Sequence, residues 1–171
     1  MFTEESQNIY TSKKILNIDA AKKEISKIKA EKKTVGLCHG GFDLLHPGHI
    51  KHFEYAKKIC DCLFVSITSD KFVALLKGKG RPIFSDKLRA YFVASIKFVD
   101  YVVISDFKLG VEVISILKPS YYIKGPDYMK KSDPAINAER DTIISIGGKI
   151  KYTNEPKLST TAIIKYIKEN L

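Results

Sequence analysis

Residues 34–49 read Thr-Val-Gly-Leu-Cys-His-Gly-Gly-Phe-Asp-Leu-Leu-His-Pro-Gly-His. The stretch opens on a β-branched and apolar run, turns through two glycines, and reaches Pro47, a residue suited to the first turn of a helix. It therefore predicts a strand over 34–39, a glycine turn and a helix starting near Pro47. All four histidines of the chain, His39, His46, His49 and His52, fall within it or just beyond it. His46 and His49 lie three apart, on one side of the helix start. Two imidazole N–H donors facing one point can stabilise charge that grows on phosphate oxygens. Gly40 and Gly41 let the backbone approach a ligand, and the helix N-terminus offers unpaired N–H groups to phosphate. Gly48 is expected to leave room for a phosphate chain between the two imidazoles. Asp43 is a candidate to orient an imidazole or, more weakly, to help hold a metal.

Outward from this segment the alternation continues. Strands are expected over 63–68, 101–104, 121–124 and 149–152, and helices over 18–29, 85–97, 110–117, 135–146 and 159–170. Five short strands separated by helices point to a five-stranded, mostly parallel, Rossmann-like doubly wound α/β sheet with helices on both faces, since parallel strands need crossovers. Residues 1–17 show no sustained period and read as a flexible arm; 18–171 read as a single domain. In such a sheet ligands sit beyond the carboxyl ends of the strands, at the switch in strand order. Residues 39–49 after the first strand, 68–70 after the second, 124–128 after the fourth and the Ser-Thr-Thr of residues 159–161 after the fifth meet that condition.

Composition narrows the function classes. A net charge of +10 over 171 residues suits anionic partners. The lysines are scattered as single residues or pairs, so most of the excess reads as solvated surface and no nucleic-acid partner is expected. No apolar run approaches the about 20 residues of a membrane span, and the polar, acidic start does not resemble a secretory signal. A cytoplasmic protein without a membrane partner is the expectation. Cys38, Cys60 and Cys62 are odd in number and lack the second pair that a zinc site requires, so reduced structural thiols are expected.

The stretch GGFDLLHPGH, residues 40–49, resembles the signature of the cytidylyltransferase-like nucleotidyltransferases. Further segments match the branch containing the adenylyltransferase domain that makes ADP-activated heptose: SITSD at 66–70, KGKGRP at 77–82, Arg89, FVDYVV at 98–103, KPSYYIKGPDY at 118–128, GGKI at 147–150 and LSTTAII at 158–164. The resemblance implies transfer of a nucleoside monophosphate from an NTP to a small phosphorylated sugar or polyol, with Mg2+ as cofactor and a homodimer as the assembly. It implies that His46 and His49 contact the triphosphate and that Lys77, Lys79 and Arg81 reach the triphosphate and the substrate phosphate, with His46, His49, Lys77 and Lys79 as the catalytic set. Gly40, Gly41, Phe42, Asp43, Arg89, Lys124, Gly125, Asp127, Ser159, Thr160 and Thr161 complete the implied nucleotide site. Many members that use CTP carry Arg-Thr shortly before the final Ser-Thr-Thr, where this chain has Asn154-Glu155-Pro156-Lys157-Leu158. The adenylyltransferase reading for a heptose 1-phosphate therefore leads. A cytidylyltransferase for a sugar or polyol phosphate and a non-catalytic nucleotide- or nucleic-acid-binding module are the alternatives.

Overall fold

The computed structural model describes residues 9–156 and 158–170. The elements run β1 (Ile15–Leu16), α1 (Ile18–Ala30), β2 (Val35–Gly40), α2 (Pro47–Lys57), β3 (Cys62–Thr68), α3 (Asp70–Lys77) and α4 (Asp86–Ala94). They continue with β4 (Tyr101–Ser105), α5 (Gly110–Leu117), β5 (Tyr121–Lys124), a 3-10 turn (Pro126–Tyr128), α6 (Pro134–Ser145), β6 (Lys149–Tyr152) and α7 (Thr160–Asn170). All strands pair in parallel in the order β1-β4-β3-β2-β5-β6.

The sheet has six strands rather than the five expected. The sixth comes from the segment read as an arm: Ile15 and Leu16 pair with Val102 and Val103 of β4. Lys14 Nζ donates to Val99 O at 2.7 Å, tying the same segment to the sheet edge. The part of the expected arm over 1–8 lies outside the described residues. Asn17, which closes that segment, accepts from Ala20 N at 2.8 Å and caps α1.

Strand β3 is buried along its whole length, which is why its sequence reads as an apolar run without alternation. Its neighbours separate by parity onto the two faces. Leu63, Val65 and Ile67 meet Phe53 and Ala56 of α2 and Ala90, Val93 and Ala94 of α4. Cys62 and Phe64 meet Ala21 and Ile25 of α1, Val113, Ile114 and Leu117 of α5, and Ile143 of α6. Cys38, Cys60 and Cys62 are free thiols within these two cores. Helices thus cover both faces, and the strand order reverses between β2 and β5, leaving a crevice at their carboxyl ends.

Candidate active site

That crevice is a cavity of about 410 Å³, floored by His39 and Gly40 at the end of β2 and by Ile123, Lys124 and Gly125 at the end of β5. His46 is the N-cap residue of α2 and makes no side-chain cap bond, so its imidazole is left for the cavity. The His46 and His49 rings stack, with centroids 3.8 Å apart and planes 20° from parallel. Phe42 meets His49 edge-on at 5.5 Å and Phe53 at 5.1 Å, anchoring the second ring to the core. Both Nδ1 atoms are buried and have no hydrogen-bond partner among the described residues. With both Nδ1 atoms enclosed by the protein, Nε2 is the nitrogen of each ring left to meet a ligand. Burial holds the His46 pKa below its ordinary value. Burial, followed by the charges of His46 and His52, brings His49 down to about 3. Both are neutral N–H donors at neutral pH.

Gly48 lines the cavity, as its place between the two histidines led us to expect. A Cβ there would stand 3.0 Å from His46 Cε1 and Nδ1 and 3.0 Å from Leu158 Cβ, so glycine also suits the packing of the His46 ring against the segment leading to α7.

Most residues singled out by sequence do line the cavity: Gly40, Gly41, Phe42, Asp43, His46, His49, Lys77, Arg81, Lys124, Gly125, Asp127, Ser159, Thr160 and Thr161. Lys79 and Arg89 do not. Arg89 is fully buried and braces the loop from behind, donating from Nε to Phe84 O at 2.9 Å, from NH1 to Gly41 O, and from NH2 to Asp70 Oδ1 at 2.7 Å. Its guanidinium is committed to the backbone behind the cavity and does not reach the cavity wall. Asp43 is 4 % exposed and its carboxylate is saturated: it accepts from Arg81 Nε at 2.7 Å, Ile83 N at 2.9 Å and Phe84 N at 3.1 Å. This set of donors makes Asp43 an anchor for the loop over residues 81–84. Arg81 lines the cavity with its Nε committed to that anchor.

Lys124 is likewise held. Its Nζ donates to Glu139 Oε2 at 2.9 Å and lies 4.3 Å from the Tyr128 ring centroid, while Glu139 Oε1 accepts from Gly110 N at 2.9 Å. The buried pair fixes the end of β5 against α6 and the start of α5. Ser159 Oγ accepts from Ala162 N at 3.1 Å, and Thr160 Oγ1 donates to Asp43 O at 2.9 Å. The start of α7 is thereby joined to the loop that carries the histidines.

His52 and Glu155 line the cavity although neither belongs to the site that the resemblance implies. His52 is buried; its Nδ1 lies 2.8 Å from Thr153 Oγ1 and 3.1 Å from Glu155 Oε1. The Thr153 hydroxyl donates to Lys124 O at 3.2 Å, so Nδ1 of His52 must be the donor to both oxygens. Glu155 lines the cavity opposite Gly125, where a Cβ would come within 3.3 Å of its Oε1. Burial works against its charge, but its hydrogen bonds, led by His52, outweigh that and hold the carboxyl below its ordinary pKa. His39, on the floor, pairs through Nδ1 with Ser66 Oγ at 3.1 Å, and burial, then the Lys124 charge, lowers it to about 4.

The family model described as cytidylyltransferase-like matches residues 37–166. The chain is similar to the "Bifunctional protein HldE" of Geobacter metallireducens, 37 % identical over 155 residues, which are 90 % of this chain and 31 % of that protein. The protein of the same name from Campylobacter jejuni subsp. jejuni serotype O:6 is 41 % identical over 142 residues, 83 % of this chain and 29 % of that protein. The chain thus spans less than a third of the curated relatives it matches. Among solved structures, a lipopolysaccharide core biosynthesis protein from Thermoplasma volcanium superposes with a TM-score of 0.59 at 28 % identity, covering 74 % of this chain and 99 % of that one. A pantoate-beta-alanine ligase from Francisella tularensis, with a TM-score of 0.61 at 17 % identity over 90 % of this chain and 76 % of that one, shares the fold. A family match that runs from β2 into α7 takes in both histidines and the Ser-Thr-Thr turn, and the chain belongs to the cytidylyltransferase-like family of nucleotidyltransferases.

Proposed function

We propose that the protein transfers the adenylyl group of Mg-ATP to the phosphate of a sugar 1-phosphate of the heptose type, releasing pyrophosphate, for the assembly of a surface polysaccharide. The observation that carries the reading is the stacked His46–His49 pair at the start of α2, with both Nδ1 atoms buried and Nε2 of each ring left to meet a ligand. The resemblance of residues 66–70, 77–82 and 118–128 to the ADP-heptose branch supports adenylyl and heptose, and the Thermoplasma volcanium relative supports a polysaccharide product.

An oxygen of the sugar phosphate attacks the α-phosphorus in line. The new P–O bond forms as the bond to the bridging oxygen breaks, and pyrophosphate leaves with the electron pair. Among the described side chains no group of three or more metal-binding residues is assembled, and the Asp43 carboxylate is taken. Magnesium enters as part of the substrate, Mg-ATP, where it would help neutralise the triphosphate's charge. The protein's share is positioning and neutralisation of charge: the two imidazoles, Lys77 on the cavity wall and the N-terminus of α7 face the phosphates. A pyrophosphate-release screen of four NTPs against sugar and polyol phosphates tests the reading. His46→Ala and His49→Ala are each expected to lose on the order of 10²-fold in kcat, as when one transition-state donor is removed. Turnover close to wild type in both variants would remove the mechanism, and a preference for CTP with a polyol phosphate would replace the substrate.

A further inference from the structure

The mechanism draws on side chains and a helix end, and leaves unexplained why a guanidinium lies in the core behind the glycine turn. Arg89 is fully buried, while its one carboxylate partner, Asp70, has a side chain 42 % exposed and so compensates the buried charge only in part. Its other bonds go to two main-chain carbonyls, Phe84 O and Gly41 O. Withdrawing a charge from water is costly, and apolar side chains of similar volume commonly serve a core as well. Stability alone therefore does not call for an arginine here. The Gly41–Phe42 peptide is trans, and in a trans peptide the C=O and the N–H point in opposite directions. Gly41 and Phe42 line the cavity, whereas Arg89 lies behind it. With the Gly41 carbonyl drawn back to Arg89, the Phe42 N–H is turned the other way, and no described residue accepts from it. Phe42 holds a φ of 46°, a left-handed conformation uncommon for a residue with a bulky side chain. The turn is thus kept in an uncommon form by a bond from behind.

We infer that Arg89 is a positioning residue for the transfer: it holds the Gly41 carbonyl from behind and so keeps the Phe42 N–H aimed at the cavity, as a fixed donor to a phosphate oxygen of the nucleotide. The inference rests on the reading of this cavity as the nucleotide site. It gives the buried charge a task that an apolar residue cannot perform. A donor fixed in advance needs no reorganisation when charge grows on the phosphate. Nε of Arg89 holds Phe84 O, and Phe84 N donates to the Asp43 carboxylate at 3.1 Å, so the same side chain ties the glycine turn to the base of the loop that carries Arg81.

The test reads that one peptide directly. The chain has a single Gly-Phe pair, so protein labelled with 13C at the glycine carbonyls and 15N in phenylalanine reports one amide, that of Phe42. Mg2+ with α,β-methylene-ATP, which cannot be turned over, is expected to move this amide proton downfield in wild type, and the movement is expected to fall by half or more in Arg89→Met. The same variant is expected to lose about 10- to 100-fold in kcat, as for a misplaced transition-state donor, with a smaller change in KM for ATP. Arg89→Lys keeps the charge without the fork that spans the two carbonyls, and is expected to fall between wild type and Arg89→Met. Phenyllactate in place of Phe42 turns this peptide into an ester without the N–H; it is expected to cost as much as Arg89→Met, and the two together no more than either alone. A folded Arg89→Met protein with wild-type turnover overturns the inference, as do losses that multiply in the combined variant. Where Arg89→Met does not fold, an Arg89→Lys protein with wild-type kcat, or a wild-type Phe42 amide that ignores the nucleotide, overturns it equally. A shift raised by a sugar 1-phosphate alone and not by the nucleotide overturns the nucleotide as the ligand. Wild type whose Phe42 amide answers the nucleotide through Arg89, yet which transfers nothing to any phosphate, leaves Arg89 in place and sinks only the transferase substrate reading; wild type that binds no triphosphate sinks both.

Discussion

Gly48 shows how the structure can add a reason that spacing does not supply. Its spacing between His46 and His49 marks it as part of the site, but the atoms that need its missing Cβ belong to the protein: the His46 ring and Leu158, each 3.0 Å away. Gly48→Ala would push that ring, and displacements of about 1 Å at a positioned group can cost about 10²-fold in rate. The variant is expected to lose 10-fold or more in kcat while melting within a few degrees of wild type, because alanine is the better helix former by up to about 1 kcal/mol. Unchanged turnover would mean that the His46 position is immaterial to transfer. Asp43 and Arg89 are likewise held by the protein's own groups. Asp43 stands beside the glycine turn in sequence and Arg89, 48 positions beyond Gly41, enters through the resemblance; in either place a charged side chain looks like a ligand. Their partners, the backbone N–H groups of Ile83 and Phe84 for one and the Gly41 and Phe84 carbonyls for the other, are contacts that local spacing does not reveal. Glu155 and His52 were hidden for the converse reason, since their pairing spans 103 positions of the chain.

Among the elements, α3 left a local signal that went unread. Ser69 precedes Asp70 as its N-cap, and Phe72, Val73 and Leu76 recur at helical spacing, yet only Val73 is buried, while Leu75 and Leu76 stand 65 % and 50 % exposed. β1 left almost none: two residues cannot display a period of two, and their place is given by Val102 and Val103 across the sheet edge. The consequence for function lies at the end of α3. Lys77, its last residue, lines the cavity; Lys79 follows on a tip where Gly78 and Gly80 hold φ of 87° and 82° and nothing lies within 4 Å of either would-be Cβ. Contacts from such a tip form late, after ordering entropy has been lost, and therefore bear on the transition state more than on substrate binding. Lys77→Ala and Lys79→Ala are both expected to lower kcat more than they raise KM for the triphosphate, Lys77→Ala by the larger factor. Equal losses would show that the tip closes fully over the ligand. Unchanged kcat in both variants would return the segment to ordinary surface charge.

At the scale of the molecule, the parallel, doubly wound order was legible because each strand is a short β-branched run between helices. So was the location of the cavity, which that order places at the carboxyl ends of β2 and β5. What the order also does is gather all four histidines at one end of the sheet, three of them with pKa values lowered chiefly by burial: His46, His39 to about 4 and His49 to about 3. A lowered histidine pKa means that below about 6.5 the unfolded chain takes up a proton the folded chain refuses. Folding stability is then complete above about pH 6.5 and falls as the pH drops toward the folded-state values. Each such histidine contributes a slope of at most about 1.4 kcal/mol per pH unit, so His39 and His49 together set roughly 2–3 kcal/mol per unit between pH 5 and 6. Carboxylates held below their ordinary pKa, Glu155 and Asp61 among them, act in the same direction but only at lower pH. Urea titrations of the ligand-free protein at pH 7.5, 6 and 5 should show this decline, and the double variant His39→Gln, His49→Gln should show it reduced by about two protons. A wild-type protein equally stable at pH 7.5 and pH 5 would mean that these imidazoles take up protons in the folded state as readily as in the unfolded chain, and that the cavity turns cationic below about pH 6.5.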